Sequence, residues 1–189
     1  MRKVILQIDV TLDGFSAASD GSLDWVTADE AMNREATDLL DTVDTILLGR
    51  VAYQAFVAYW PFADMNESTT AGRITRQLNE ATKIVFSKTL QQVEWGTWNN
   101  AQLIHDNIPQ AITDMKALPG KNLLLYAGAK IISTFIRSDL IDEYRLRIHP
   151  VLLGQGQPLF QGIDNHLDLK LIRTQPYKNG AVLLEYHRA

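Results

Sequence analysis

The sequence predicts an α/β domain with a mainly parallel central sheet. Three observations carry this. Short apolar runs alternate with amphipathic runs along the first two-thirds of the chain. The run KNLLLYAG is apolar without a break, as in a strand covered on both faces. Near residue 143 the pattern changes to strict alternation, which belongs to antiparallel strands with one polar face.

The elements follow in order. Val4, Leu6, Ile8 and Val10 share one side of a first strand, with Gln7, Asp9 and Thr11 on the other. Thr27 with Glu30 three residues on predicts a capping box opening a helix over 28–41. Ile46 to Leu48 form a short second strand, and a helix follows near 51–58. The stretch WPFADMNEST, 60–69, reads as the longest irregular piece of the first half. A helix near 67–79 precedes a strand at 83–86, and Leu103-Ile104 form a short fourth strand. A helix at 108–117, the strand Asn122 to Tyr126 and a helix at 129–138 come next. Tyr144, Leu146 and Ile148 alternate with Arg145, Arg147 and His149. The turn KNG at 178–180 joins 169–174 to 181–187 as an antiparallel hairpin.

The chain has 189 residues and no internal repeat, so a single domain over 1–189 is expected. A net charge of -4 argues against a nucleic-acid partner or an acidic membrane surface. No apolar run reaches the ~20 residues of a membrane span. The N-terminus alternates like a strand and does not read as a signal sequence. The absence of cysteine removes disulfides and thiolate metal sites and fits a cytoplasmic home. His105, His149, His166 and His187 show no metal-ligand spacing, so no metal is expected.

Ligands of open α/β sheets sit beyond the carboxyl ends of the strands. Those ends read Thr11-Leu12-Asp13-Gly14, Gly49-Arg50, Ser87-Lys88 and Ala127-Gly128-Ala129-Lys130. Three of the four place a small or hydroxyl residue beside a cation. A helix start offers unpaired N–H groups, glycine admits a phosphate to the backbone, and arginine adds a bidentate contact. Alone, Gly49-Arg50 also reads as a helix start with a solvated cation and Ser87-Lys88 as a polar turn; their coincidence is what predicts an anion site. Asp9 and Glu30 are candidate catalytic carboxylates. Glu30 reads first as a first-turn acid favoured by the helix dipole, and second as a proton donor. Asp9, on a central strand, requires a partner or a ligand. Trp25 and Tyr53 are candidate substrate contacts, and Trp25, Phe56, Tyr59, Trp60 and Phe62 are candidates for an apolar slot around a flat heterocycle.

Read in order, TLDG, DGSLDW, ILLGRVAY, IVFSKTL, LLLYAGAKIISTFI, LIDEYRLRIHPVLLGQGQPLF and the closing hairpin resemble the dihydrofolate reductase-like superfamily. The branch is that of the riboflavin-pathway reductase, the C-terminal half of the bifunctional deaminase–reductase. The resemblance spans nearly the whole chain. Its most specific part is the run from Leu140 to Phe160. It implies a three-layer fold with helices on both faces of the sheet and NADPH across the strand ends. Arg50 would face the adenosine phosphates, with Gly49 opening its helix. Ser87 and Lys88 would hold the 2′-phosphate, and Gly128 and Ala129 would line the pyrophosphate. Thr11, Asp13 and Gly14 would border the nicotinamide. Ala127 and Lys130 complete the implied cofactor set. No deaminase half appears, so a stand-alone reductase-type domain is expected. The chain departs from the family pattern at Ala52, where a threonine is usual, and at Ala127-Gly128, where Gly-Gly is common.

The expectation is therefore an NADPH-dependent reductase of a pyrimidine-type heterocycle, resembling 5-amino-6-(5-phosphoribosylamino)uracil reductase. A dihydrofolate or pterin reductase, and a non-catalytic nucleotide-binding module on the same fold, are the alternatives. The alternating Tyr144–Ile148 segment and the apolar hairpin suggest a homodimer.

Overall fold

The computed structural model describes residues 1–163 and 166–189. In chain order the elements are β1 (Val4–Thr11), β2 (Phe15–Ala17), α1 (Glu30–Asp41), β3 (Val43–Gly49) and α2 (Arg50–Val57). They continue with α3 (Thr70–Glu80), β4 (Thr82–Phe86), β5 (Ala101–Ile104), α4 (Ile108–Ala117), β6 (Asn122–Tyr126) and α5 (Ala129–Arg137). β7 (Glu143–His149), β8 (Gln157–Pro158), β9 (Leu169–Pro176) and β10 (Val182–Arg188) close the chain. Contacts divide it into two compact units, Met1–Lys3 with Glu30–Ala127, and Val4–Asp29 with Gly128–Ala189.

In the first unit the strand order is β5-β4-β3-β6, and every neighbouring pair is parallel. The centre is dry: Leu47, Leu48, Leu123, Leu124 and Leu125 are fully buried. Consecutive buried residues along one strand mean both faces are covered, as the unbroken apolar runs require. α1 and α3 are tied side by side. Glu30 accepts from the Thr70 hydroxyl at 2.7 Å, and Gln77 donates to Asp41 at 2.6 Å. Thr69 caps α3 by accepting from the Gly72 N–H at 3.0 Å.

Two expectations need correction in this unit. The helix expected from 28 starts at Glu30, and Thr27 is no cap for it. Thr27 is held by Asn179, whose amide donates to its carbonyl at 2.9 Å and to its hydroxyl at 3.3 Å, so a long-range bond reaches the oxygen a local cap would use. Nor is 60–69 the longest irregular piece. It opens with a 3₁₀ turn at Trp60–Phe62, whereas 87–100 carries no helix or strand. That longer segment is pinned by Trp95, which is 1% exposed and donates from its indole to Asn79 at 2.7 Å. Packing and a buried hydrogen bond do there what periodicity does elsewhere.

In the second unit β1 and β7 are parallel, and β7-β10-β9 continue antiparallel. The hairpin β9–β10 stands where the KNG turn predicts it, with Tyr177 N–H bonded to the Ala181 carbonyl at 2.9 Å. A two-stranded pair, β2 with β8, was not legible in the sequence. It depends on a close backbone approach: a Cβ on Gly156 would lie 2.5 Å from the Ala17 carbonyl oxygen.

Candidate active site

Strand register explains why separate segments meet in the first unit. Gly49 lies opposite Phe86 and Leu48 opposite Tyr126, so β3, β4 and β6 end at one edge. Gly49-Arg50, Ser87-Lys88 and Ala127 follow those ends in turn. Gly49 is the N-cap of α2, extended at φ -80 and ψ 163, with no side-chain cap on the first N–H groups. Arg50 is exposed, and its Nη1 bonds Gln54 at 3.3 Å within its own helix. Lys88 is exposed too and lies 3.5 Å from Asp106. The Ser87 hydroxyl accepts from the Thr89 and Leu90 N–H groups at 3.2 and 3.1 Å, which shapes the turn after β4. An uncapped helix start beside two exposed cations has the donor set a phosphate requires.

Tyr53 is committed elsewhere. Its side chain is buried, and its hydroxyl donates to the Glu94 carbonyl and accepts from the Glu94 N–H, both at 2.9 Å. Glu30, the first residue of α1, is held by Thr70 and by Arg34 at 3.4 Å on the exposed side of the helix pair. Phe56, Trp60 and Tyr126 form an aromatic group with ring centroids 5.5 and 6.1 Å from Phe56, and Tyr59 and Phe62 lie exposed beside them in sequence.

In the second unit β1 and β7 end together, with Thr11 opposite His149. Thr11, Asp13 and Gly14 build a turn that holds the glycine-rich loop. The Thr11 hydroxyl donates to Asp13 Oδ1 at 2.5 Å, and Asp13 Oδ2 accepts from the Gly154 N–H at 2.8 Å. The Thr11 hydroxyl bond, followed by backbone N–H groups of the loop, lowers the Asp13 carboxyl below the usual range. Gly14 takes φ +86 in that turn, a conformation side chains resist. Gly128 caps α5 without side-chain help, and a Cβ placed on it would meet nothing within 4 Å. Ala129 is buried and Lys130 exposed at the same helix start.

Asp9 sits in the most developed polar cluster of this unit. Arg147 meets it with Nε 3.0 Å from Oδ1 and Nη2 3.2 Å from Oδ2. His149 Nε2 lies 2.8 Å from the same Oδ1. Gln7, with its amide oxygen toward the guanidinium, accepts from Arg147 Nε at 2.8 Å. Trp25 packs edge-on against the His149 ring at 5.4 Å. Asp9 thus has the partners that a carboxylate on a central strand demands. Arg147 was not singled out from the sequence. It is 138 residues from Asp9, and the only local signal is the alternation that puts Arg145, Arg147 and His149 on one face.

A second cluster crosses β7 and β10. Glu143, Glu185 and His187 offer oxygen and nitrogen atoms within 4.8 Å of one another. Arg145 Nη1 lies 3.3 Å from Glu143 and 3.8 Å from Glu185, and Arg173 lies 3.5 Å from Glu185. The two guanidiniums balance the two carboxylates, so the cluster reads as an ion-pair network across the strands. Among the described residues no helix is long and apolar enough to cross a membrane.

Comparison with known proteins identifies the family and the fold. The model of the family described as the RibD C-terminal domain matches residues 2–183. YyaP, a protein of Bacillus subtilis (strain 168) named as uncharacterized, is 38% identical over 186 residues, 98% of this chain and 95% of its own. A crystal structure from Shewanella sp. PV-4, provisionally described as a riboflavin biosynthesis protein, superposes with a TM-score of 0.78 at 26% identity. That match covers 100% of this chain and 99% of the other. Dihydrofolate reductase from Enterococcus faecalis, solved with NADP(H) and RAB-propyl, gives a TM-score of 0.65 at 14% identity. It covers 98% of this chain and 96% of that one, and shows that the fold is dihydrofolate reductase-like.

Proposed function

Because the chain belongs to the RibD C-terminal domain family, a family associated with reductases, we propose that it is an NADPH-dependent reductase of a pyrimidine-type heterocycle. The observation that carries the proposal is the edge where β3, β4 and β6 end together, with an uncapped helix start and the cations Arg50 and Lys88. Those groups fit the phosphates of a dinucleotide. Arg50 and the first N–H groups of α2 serve the adenosine-side phosphates, and Lys88 with the Ser87 turn serves a 2′-phosphate. In the second unit, Gly128, Ala129 and Lys130 are assigned to a pyrophosphate. Thr11, Asp13 and Gly14 shape the loop beside the end of β1, which we assign to the nicotinamide. NADPH supplies the hydride, and the chain's residues bind, orient and exclude water.

Asp9 is assigned to touch the substrate. Glu30, exposed and paired along its helix, is assigned to the start of α1. Trp25, packed on His149 in the same cluster as Asp9, is assigned to the substrate as well.

The test is direct. NADPH titrated against tryptophan fluorescence should bind below millimolar concentration. A panel of pyrimidine and pterin substrates should then give steady loss of absorbance at the reduced-nicotinamide band. Failure to bind NADPH at millimolar concentration ends the reading. Binding without turnover on any member of the panel favours a nucleotide-binding module that has lost catalysis.

A further inference from the structure

The surroundings of Asp9 bear on which substrate the proposed reductase takes, and the inference below rests on that reading for its context. Asp9 Oδ1 is bonded by His149 Nε2 at 2.8 Å and lies 3.0 Å from Arg147 Nε, whose single N–H is turned to Gln7. Oδ2 accepts from Arg147 Nη2 at 3.2 Å. A carboxylate accepts at about four lone-pair positions. One hydrogen bond to each oxygen leaves Oδ2 a further position to accept at, and the Asp9 side chain is 22% exposed.

His149 fixes the orientation. It is 1% exposed, and its bond to Oδ1 opposes rotation of the carboxylate away from the plane Arg147 sets. Its Nδ1 is buried with no hydrogen-bond partner. Trp25, packed on the imidazole, has its indole Nε1 buried and equally unpartnered. Buried polar atoms are almost always satisfied, so two unpartnered nitrogens on rings packed against each other point to a ligand that supplies the missing partners. An acceptor to spare on Asp9 and a donor to spare on Trp25 match a lactam edge, an N–H beside a C=O.

We infer that Asp9, held in place by His149, selects a heterocycle with a lactam edge by accepting its N–H through Oδ2. Asp9 is the residue that touches substrate, and His149 is a positioning residue. Nothing in the sequence pairs them, since they lie 140 residues apart.

The experiment compares two probes, 5,6-diaminouracil and its 1,3-dimethyl analogue, which lacks the ring N–H groups. Each is titrated against tryptophan fluorescence, with and without NADPH. The wild type should bind the N–H compound at least tenfold more tightly. Asp9→Asn presents an N–H where the carboxylate accepts, so the two probes should come within about twofold. His149→Gln keeps a donor for Oδ1 and should retain most of the preference. His149→Leu should lose about tenfold for the N–H compound and leave the dimethyl compound unchanged. Backbone amide spectra establish that each variant is folded.

Full preference in Asp9→Asn, or wild-type behaviour in His149→Leu, overturns the inference. So does failure of the wild type to bind either probe at millimolar concentration, even if NADPH is bound and oxidised with another substrate. If the wild type prefers the N–H probe but does not bind NADPH, the reductase reading falls and the role of Asp9 stands.

Discussion

At the scale of single residues, Lys83 near the start of β4 and Lys88 just past its end have opposite burial and different consequences. Lys83 is fully buried in the first unit. Its ammonium donates to the carbonyls of Asn79 and Ala81 at 2.7 Å and lies 4.5 Å over the Trp95 ring. Burial lowers its pKa to about 7 even so. The unfolded chain holds that proton up to the ordinary lysine range, so from about pH 7 to about pH 10 it binds more protons than the native state. The contribution of Lys83 to stability should therefore rise with pH across that window and be flat below it. Urea unfolding of the wild type and Lys83→Met at pH 6, 8 and 9.5 measures this, and a constant difference between them would refute it. At pH 6 the substitution removes a donor from the end of α3, at a cost of about 2 kcal/mol. Lys88, by contrast, is exposed and replaceable: Lys88→Ala should leave stability unchanged and reduce the preference for NADPH over NADH about tenfold. Equal weakening of both cofactors would show that it meets no 2′-phosphate. The lysines differ in burial, and that difference was not legible in KIVFSK. Strand periodicity says which face a residue takes, not what covers that face.

At the scale of elements, Gly128 at a helix start and Gly156 beside β8 separate a ligand-binding from a structural use of glycine. Gly128 has an extended φ of -76 and open space where a Cβ would stand. Gly128→Ala should therefore change thermal stability by no more than about 0.5 kcal/mol, within the range of ordinary surface substitutions. It should still weaken NADPH severalfold, because the methyl group occupies the space assigned to the pyrophosphate. Undiminished NADPH affinity would remove α5 from the cofactor site. Gly156 is the opposite case. A methyl group there collides with the Ala17 carbonyl, so Gly156→Ala should open the β2–β8 pair, at a cost of about 1–3 kcal/mol by urea unfolding. α4 and β6 could be read from the sequence to the residue, because amphipathic and apolar periodicity persist through them. β2 and β8 could not, because two or three residues carry no period. The start of α1 was placed two residues early because Asn179, distant in sequence, bonds the Thr27 hydroxyl a cap would use.

At the scale of the whole molecule, the family, the dihydrofolate reductase-like fold and the identity of the strand-end segments were all legible in the linear sequence. The homodimer is a proposal of the same scale. β9 is exposed along most of its length, with Leu171 and Ile172 both close to half exposed, and an uncovered apolar edge favours a second chain. Light scattering should give twice the chain mass, and Leu171→Lys with Ile172→Glu should halve it; a monomeric wild type would dismiss the proposal. By itself the sequence determined the order of strands and helices, because local periodicity records which residues must leave water. It also set which cations and small residues follow each strand. Only the tertiary structure decided that Arg147 and His149 close on Asp9, that Thr11 and Asp13 clamp the Gly154 loop, and that the Tyr53 hydroxyl is spent on Glu94. Those are bonds between residues far apart in the chain. Strand register places them, and register depends on how whole faces pack, which no local stretch of sequence encodes.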